Sequence, residues 1–466
     1  MPEPVDDSAD LAKLGYSQEL LRSIGPFQNF ALSFSIISIL TGAVTLYGDG
    51  LKWGGPLVMT VGWPVVAIFT LFIAASLAEL ASAFPTAGAL YHWASILGGP
   101  GAGWATAWLN TLGQFAVTAA IDFGLAQFLA PLLGWEATRA HVLPLFTVIL
   151  LSHAVLNHFG VRLVSALNTI SAWYHVAGVA VVVGAVIVFA PKQPLSFLLT
   201  SYTHDSSTLL PGFLIALLQP AWTFTGYDAS AHVSEETIDA SRNAPKGIML
   251  AVSASAVAGW VMLIAVTLAI QNMPVQAAAE NPFIAVLNTS MGSLGTALVW
   301  VCVGAMWFCG LASVTSNSRM LYAFARDGGL PFSKRLALVS KRFQSPHVAV
   351  WVSVAMAFVI AAWSVDAYNL MAALSTVALY ASYALPIWVG LRARKKGWPR
   401  RGPWHLGKYG SLVNGIALGW VGFMLVVMSL PPNDKAGLAF SGTLVLLVVA
   451  WFGGVRRHFK GPAVHA

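Results

Sequence analysis

Charged residues cut this chain into a regular series of apolar stretches, each near the roughly 20 residues that a helix needs to cross the hydrocarbon core of a bilayer. The cleanest are 53–78 between Lys52 and Glu79, 247–270 after Lys246, 348–365 after His347, 367–391 before Arg392, 409–430 after Lys408 and 438–455 before Arg456. The runs 28–48, about 101–130 interrupted by Asp122, 142–161, 166–190, 210–231 interrupted by Asp228, and 293–318 bring the set to about twelve. A bilayer accepts only backbone whose polar groups are paired within the element, so a series of this length predicts an all-α polytopic membrane protein.

Composition agrees. Only 9% of the 466 residues are charged, where a soluble chain carries about a quarter, so a water-facing surface cannot be covered and a soluble enzyme is excluded. Disordered and fibrous classes fail too, because there is no low-complexity run and the 42 Gly and 24 Pro are scattered. The two cysteines, Cys302 and Cys309, lie on one apolar stretch at a spacing that neither bridges nor matches a metal-ligand pattern, and read as packing residues.

The net charge of +7 follows from topology. With the N-terminus in the cytoplasm, Lys52, Arg139, Lys192 and Lys435 fall outside and the other 21 of 25 Lys and Arg inside, the asymmetry of the positive-inside rule. Both termini are therefore expected in the cytoplasm, and the acidic start Met1 to Asp10 lacks the basic region of a cleaved signal peptide. The run Arg392, Arg394, Lys395, Lys396, Arg400, Arg401 becomes an inner loop facing anionic lipid; nucleic acid is not needed to explain it.

Two spans are interrupted. The first carries Gly42 in Ser38-Ile39-Leu40-Thr41-Gly42-Ala43, followed by Gly48 and Gly50; the sixth carries Pro220 and Gly226 in Gln219-Pro220-Ala221-Trp222-Thr223-Phe224-Thr225-Gly226-Tyr227-Asp228. Such breaks free backbone N–H and C=O groups, which a bilayer tolerates only where they line a cavity or bind something. They open two five-span blocks, 28–190 and 210–392. An odd span count inverts the second block relative to the first, the layout of transporters with a midplane site. The remaining segments are an N-terminal cytoplasmic 1–27, two further spans within 409–456 and a tail 457–466.

Three stretches resemble a known family. Ala78-Glu79-Leu80-Ala81-Ser82-Ala83-Phe84-Pro85-Thr86-Ala87-Gly88, running on to Trp93, is similar to the loop after the second span of the amino acid–polyamine–organocation (APC) permeases. Gly226-Tyr227-Asp228-Ala229-Ser230-Ala231-His232-Val233-Ser234-Glu235-Glu236-Thr237 with Ala244-Pro245-Lys246-Gly247-Ile248 looks like the branch that includes fungal GABA and choline permeases. Asn317-Ser318-Arg319-Met320-Leu321-Tyr322, running to Pro331, is the third match. The resemblance implies the LeuT-like five-plus-five inverted-repeat fold with two extra C-terminal helices, and alternating access around the first and sixth spans. It also implies that freed amides in the first span receive a substrate carboxylate, a role a half-helix N-terminus suits physically. By position Thr41, Gly42 and Ala43 would supply them, with Ser38 beside them. Leu40-Thr41-Gly42 is bulkier than the Gly-Ser-Gly-type segment common in the family, which favours an organic cation.

The remaining candidates each have a plainer reading. Trp222, with Thr225 and Gly226 behind it, falls where relatives place an aromatic gate that can offer its face to an ammonium group, or it packs like most of the 18 Trp. Asp228 is a carboxylate at membrane depth, expensive there and so a candidate proton carrier or gate, or it caps the amides freed at Gly226. Asp122 would receive a substrate ammonium group or a proton, or form an interhelical hydrogen bond. His175 stands where proton-coupled relatives often carry a Lys, and would change charge during the cycle or remain a neutral core His. His153 and His158, roughly 140° apart on a helix, share no metal and read as structural. Glu235, Glu236, Asp239, Arg242 and Lys246 either lace the cytoplasmic path with salt bridges or form a solvated loop, the latter favoured.

No phosphate loop, nucleophile elbow or His-Glu-x-x-His occurs, so neither an enzyme nor an ATP-driven pump is expected, and no cofactor or metal. The expectation is a secondary active permease in the inner or plasma membrane, importing a small amino acid or amino-group compound such as GABA with protons. Alternatives are a choline- or ethanolamine-type cation permease and an amino acid exchanger.

Overall fold

The computed structural model describes residues 11–12, 14–159, 161–203, 210–363, 367–397 and 401–462. The acidic start 1–10, Arg400 and the end of the tail lie outside them. The described residues are helical throughout, with no strand beyond an isolated bridge between Ile24 and Thr237.

Among the described residues ten helices are long and apolar enough to cross a membrane, and there are three shorter apolar helices, Gly212–Thr223, Pro282–Met291 and His347–Trp363, of which the first and last stand where the sixth and ninth expected spans fall. In chain order the helices at the expected spans are α1 (Pro26–Ile37) and α2 (Ile39–Thr45), the halves of the first span; α3 (Trp63–Ala83), α4 (Pro100–Leu132), α5 (Arg139–His158) and α6 (Val161–Phe189); α7 (Gly212–Thr223) and α8 (Ala229–His232), the halves of the sixth; α9 (Ala240–Leu268), α10 (Ser293–Arg326), α11 (His347–Trp363) and α12 (Ala367–Lys395); and α13 (Gly410–Val427) with α14 (Asp434–Ala450). α1 and α4 begin with proline, where the missing N–H costs no hydrogen bond.

The broken helices sit at the centre. α1 packs on α9, α6 and α10, α2 on α7 and α10, and α12 runs along α4. Large apolar side chains cover the outside: Ile68, Val148, Trp173, Val188 and Val257 are each more than half exposed, which suits hydrocarbon and not water. α14 is the extreme case, with only Ala436, Gly437 and Phe440 buried. This all-α polytopic bundle is the architecture expected from the spacing of the apolar runs.

Lys52, Arg139, Lys192 and Lys435 stand at or beyond the far ends of their spans, and the remaining described Lys and Arg gather at the other, basic end. Both ends contribute to the candidate site.

Candidate substrate site at the broken helices

The first break lies at Ser38, with φ 27° and ψ 90°, four residues before Gly42, where the sequence pattern placed it. Thr41 and Gly42 are already helical: both amides donate to the Ser38 carbonyl, at 2.8 and 2.9 Å. The amides of Ile39 and Leu40, which open α2, have no intrahelical acceptor, so the first break leaves its unpaired donors there and not at Thr41 and Gly42. Ala43 is buried and its carbonyl accepts from Gln219 Nε2 at 3.2 Å.

The second break falls as the sequence placed it. α7 ends at Thr223, and Gly226 takes φ 87°, a left-handed conformation that a side chain would strain. Its amide does not turn to Asp228 as in a cap. It donates to Tyr383 Oη at 3.3 Å, and Tyr383 in turn donates to Asp228 Oδ1 at 2.9 Å. Asp228 Oδ2 lies 3.4 Å from Asn110 Nδ2 and 3.2 Å from His232 Nε2, in a pocket with no solvent exposure.

Between the breaks lies a small cavity lined by Ile36, Ile37, Thr41 and Gly42 of the first span, Val117 and Ile121 of α4, Trp222, Thr223 and Thr225 of the sixth, and Cys309 of α10. No charged side chain lines it. Its free volume is only about 10 Å³, room for one water, so the halves are closed against each other. Gly42 permits this: a Cβ there would stand 2.7–2.8 Å from Thr223 Oγ1, Cα and Cγ2. Gly42→Ala must therefore force the broken helices apart, at an overpacking cost of about 1–3 kcal/mol. Uptake by the reconstituted variant is expected to collapse, with partial recovery on adding Thr223→Ala; wild-type uptake by Gly42→Ala would contradict this close packing.

His175 meets the first break directly. Its Nδ1 bonds the Ser171 carbonyl at 2.8 Å, which requires an N–H there, and leaves Nε2 facing Ser38 Oγ at 2.7 Å. Ser38 Oγ also meets Thr41 Oγ1 at 2.6 Å. A neutral imidazole satisfies this chain, with hydroxyl protons pointing from Thr41 to Ser38 to His175; protonating Nε2 reverses its direction.

Asp122 does not line the cavity. Val117 and Ile121, four residues apart, present one face to it, while Asp122, a further 100° round the helix, turns away to His153 Nδ1 at 3.1 Å. This is the interhelical bond that was its plainer reading, and it gives His153 its structural role. Among the described residues no cluster of His, Cys, Asp and Glu could hold a metal. Cys309, read as packing, lines the cavity, and its thiol donates to the Ile36 carbonyl at 3.3 Å.

Beyond the cavity, away from the basic end, a cleft of about 880 Å³ is lined by Thr45, Asp49, Lys52, Gly124, Tyr368 and Asn369 among others. Burial lifts the Asp49 carboxyl to about 6, against the pull of Lys52 and of Asn369 Nδ2 at 3.1 Å. Trp222 and Tyr368 partition cleft from cavity, their rings edge-on at 6.0 Å, with Trp222 Nε1 donating to Ser375 Oγ at 3.0 Å.

The basic end is shut. Glu235 and Glu236, favoured as parts of a solvated loop, are wholly buried. Glu235 pairs with Arg326 at 2.8 Å and Glu236 with Arg319 at 3.0 Å, both bidentate. Burial works to raise the Glu235 carboxyl, but Arg326 outweighs it and the net shift is downward. Asp239 and Arg242 do form the expected exposed pair, at 3.2 Å. Residues 14–25 lie over this seal: Tyr16 stacks on His92 with centroids 5.1 Å apart, and Tyr16, Tyr91 and His92 all bond Asp327 Oδ2 at 2.9–3.0 Å.

Tyr383 and His232 were not singled out in the sequence. His232 stands four residues after Asp228, so helical spacing alone was a sufficient signal. Tyr383 comes from a distant span and left none.

Residues 24–452 match the family described as amino acid permease. The chain is 36% identical to the amino-acid permease BAT1 of Arabidopsis thaliana, over 98% of this chain and 97% of that one. It is 38% identical to the BAT1 homolog of Oryza sativa subsp. japonica, over 97% and 95%. An uncharacterized amino-acid permease of Schizosaccharomyces pombe is 28% identical over 99% and 90%.

Proposed function

The chain belongs to the amino acid permease family, and from that premise we propose that it imports a small amino acid or amino-group compound such as GABA together with protons, by alternating access around the two broken helices. It is an integral multi-pass membrane transporter and not an enzyme. In this reading the blocks 28–190 and 210–392 are the inverted repeats, and the basic end faces the cytoplasm of a cell whose inner or plasma membrane holds the protein.

The observation that carries the reading is the convergence of both breaks on one cavity, lined by Ile37 and Thr41 on either side of the first break and by Trp222, Thr223 and Thr225 at the second. A substrate carboxylate would find donors at the N-terminus of α2, where the Ile39 and Leu40 amides open the helix, and the C-terminal end of α1 suits an ammonium group. Nothing anionic lines the cavity, which speaks for a zwitterion over a choline-type cation despite the bulk of Leu40-Thr41. Ser38, Thr41, Gly42, Trp222 and Thr225 would contact substrate, with Ala43 and Gly226 shaping the breaks. Asp122, turned to His153, is left out of substrate contact. His175, bonded to the break residue Ser38, and Asp228, bonded through Tyr383 to the other break, would carry protons.

Counterflow in proteoliposomes against L-amino acids, GABA, amines and choline, with and without an inward-acidifying gradient, tests this. Saturable exchange of a small zwitterion, with accumulation driven by the gradient, is expected. Saturable choline movement without amino acid movement would transfer the protein to the cation reading, and no saturable transport of any of these would overturn the substrate assignment.

A further inference from the structure

His232 Nδ1 lies 3.1 Å from the Ala87 carbonyl, which only accepts, so Nδ1 carries a proton. Its Nε2 lies 3.2 Å from Asp228 Oδ2. Were neither of these atoms protonated, two lone pairs would face each other in a site without solvent exposure. A second proton therefore sits between them, and the pair as a whole is neutral.

Removing that second proton has a defined consequence. The remaining imidazole proton can satisfy the Asp228 carboxylate only by moving to Nε2, and Nδ1 then presents a lone pair to the Ala87 carbonyl. The bond to Ala87 is lost. Ala87 belongs to the segment that closes the basic end: its amide donates to Glu235 Oε1 at 3.1 Å, Glu235 is clamped by Arg326, and the neighbouring Thr86 Oγ1 meets His92 Nδ1 at 2.6 Å. The other ionisable groups nearby are occupied. Tyr383 of α12 donates to Asp228, Tyr227 and Tyr380 flank it as neutral phenols, and Arg319 of α10 is committed to Glu236. The side chains of α1 that hydrogen-bond this helix, Asn29 and Ser33, do not ionise, and Arg242 on α9 pairs with Asp239.

We infer that Asp228 and His232 bind one exchangeable proton between them, and that His232, through Ala87, ties occupancy of that proton to closure of the basic end. This rests on the proton-coupled reading above and deepens it. His232 is the positioning residue: the proton is held while the basic end is shut and given up as that end opens, which directs release to the basic side.

His232→Gln can still bond Ala87 but cannot hold the proton, and Asp228→Asn removes it from the other partner. In proteoliposomes with radiolabelled GABA and L-alanine, His232→Gln is expected to retain counterflow at equal pH. Both variants should lose gradient-driven accumulation by a factor within the about 5- to 150-fold range of ordinary coupling between two ligands. Independently of any variant, hydrogen exchange of residues 84–90 in the wild-type protein, corrected for intrinsic rates, should quicken from mildly acidic to mildly alkaline buffer. Wild-type uptake indifferent to the gradient would sink proton coupling itself. Wild-type coupling that survives in both variants, or exchange at 84–90 that ignores pH, would overturn the inference about His232 while leaving coupling in place.

Discussion

Arg319→Met is expected to be the most damaging single change outside the cavity between the broken helices. It strands the Glu236 carboxylate, which has no solvent exposure and takes both of its bidentate bonds from Arg319. Breaking a buried pair on one side costs about 3–5 kcal/mol, because the orphaned charge keeps its desolvation penalty and loses its partner. The Glu236 backbone carbonyl also accepts from the amides of Ser23 and Ile24, so the loss reaches the segment lying over the basic end. Apparent melting temperature in detergent should fall sharply, and the double variant Arg319→Met, Glu236→Gln should recover much of the fall. A single variant that melts like wild type would show that the pair contributes little.

The second large effect is functional. His175→Ala removes the imidazole that accepts from Ser38, the residue at which the first span breaks. Gradient-driven uptake is expected to disappear, a loss at least within the about 5- to 150-fold range of ligand coupling, while counterflow at equal pH persists. His175→Gln, which preserves a hydrogen-bonding side chain without a titratable proton, should behave like the alanine variant. Undiminished proton-driven uptake in both would remove His175 from the coupling mechanism and leave it a core histidine.

These predictions draw on residues that were legible in the sequence to different degrees. His175, Trp222 and Asp228 stood out because a titratable or aromatic group at a particular place in an apolar run has few ordinary explanations. Gly226 was also placed correctly, since a glycine following Pro220 gives a break that local chemistry alone enforces. Ser38 was not. A serine can continue a helix, and here it adopts φ 27° because His175 and Thr41 hold its hydroxyl from two sides. Gly42, the apparent breaker, serves close approach to Thr223.

Charge misled in a comparable way. Glu235 and Glu236 in a mixed-charge loop look solvated next to Arg242 and Lys246, their neighbours in sequence. Their partners are Arg326 and Arg319, more than 80 residues away. Asp122 is buried as expected, yet one residue's step around α4 separates it from the cavity that Ile121 lines.

What the sequence determined by itself was the architecture: a bilayer admits only helices of fixed minimum length, so the spacing of charges dictates an all-α polytopic bundle and the two interruptions mark where backbone is left unpaired. What the tertiary structure decided was which atoms face one another. Only packing sets Ser38 against His175, joins the Gly226 amide through Tyr383 to Asp228, and buries two glutamates against two arginines, because each of these depends on contacts between spans that no local pattern encodes.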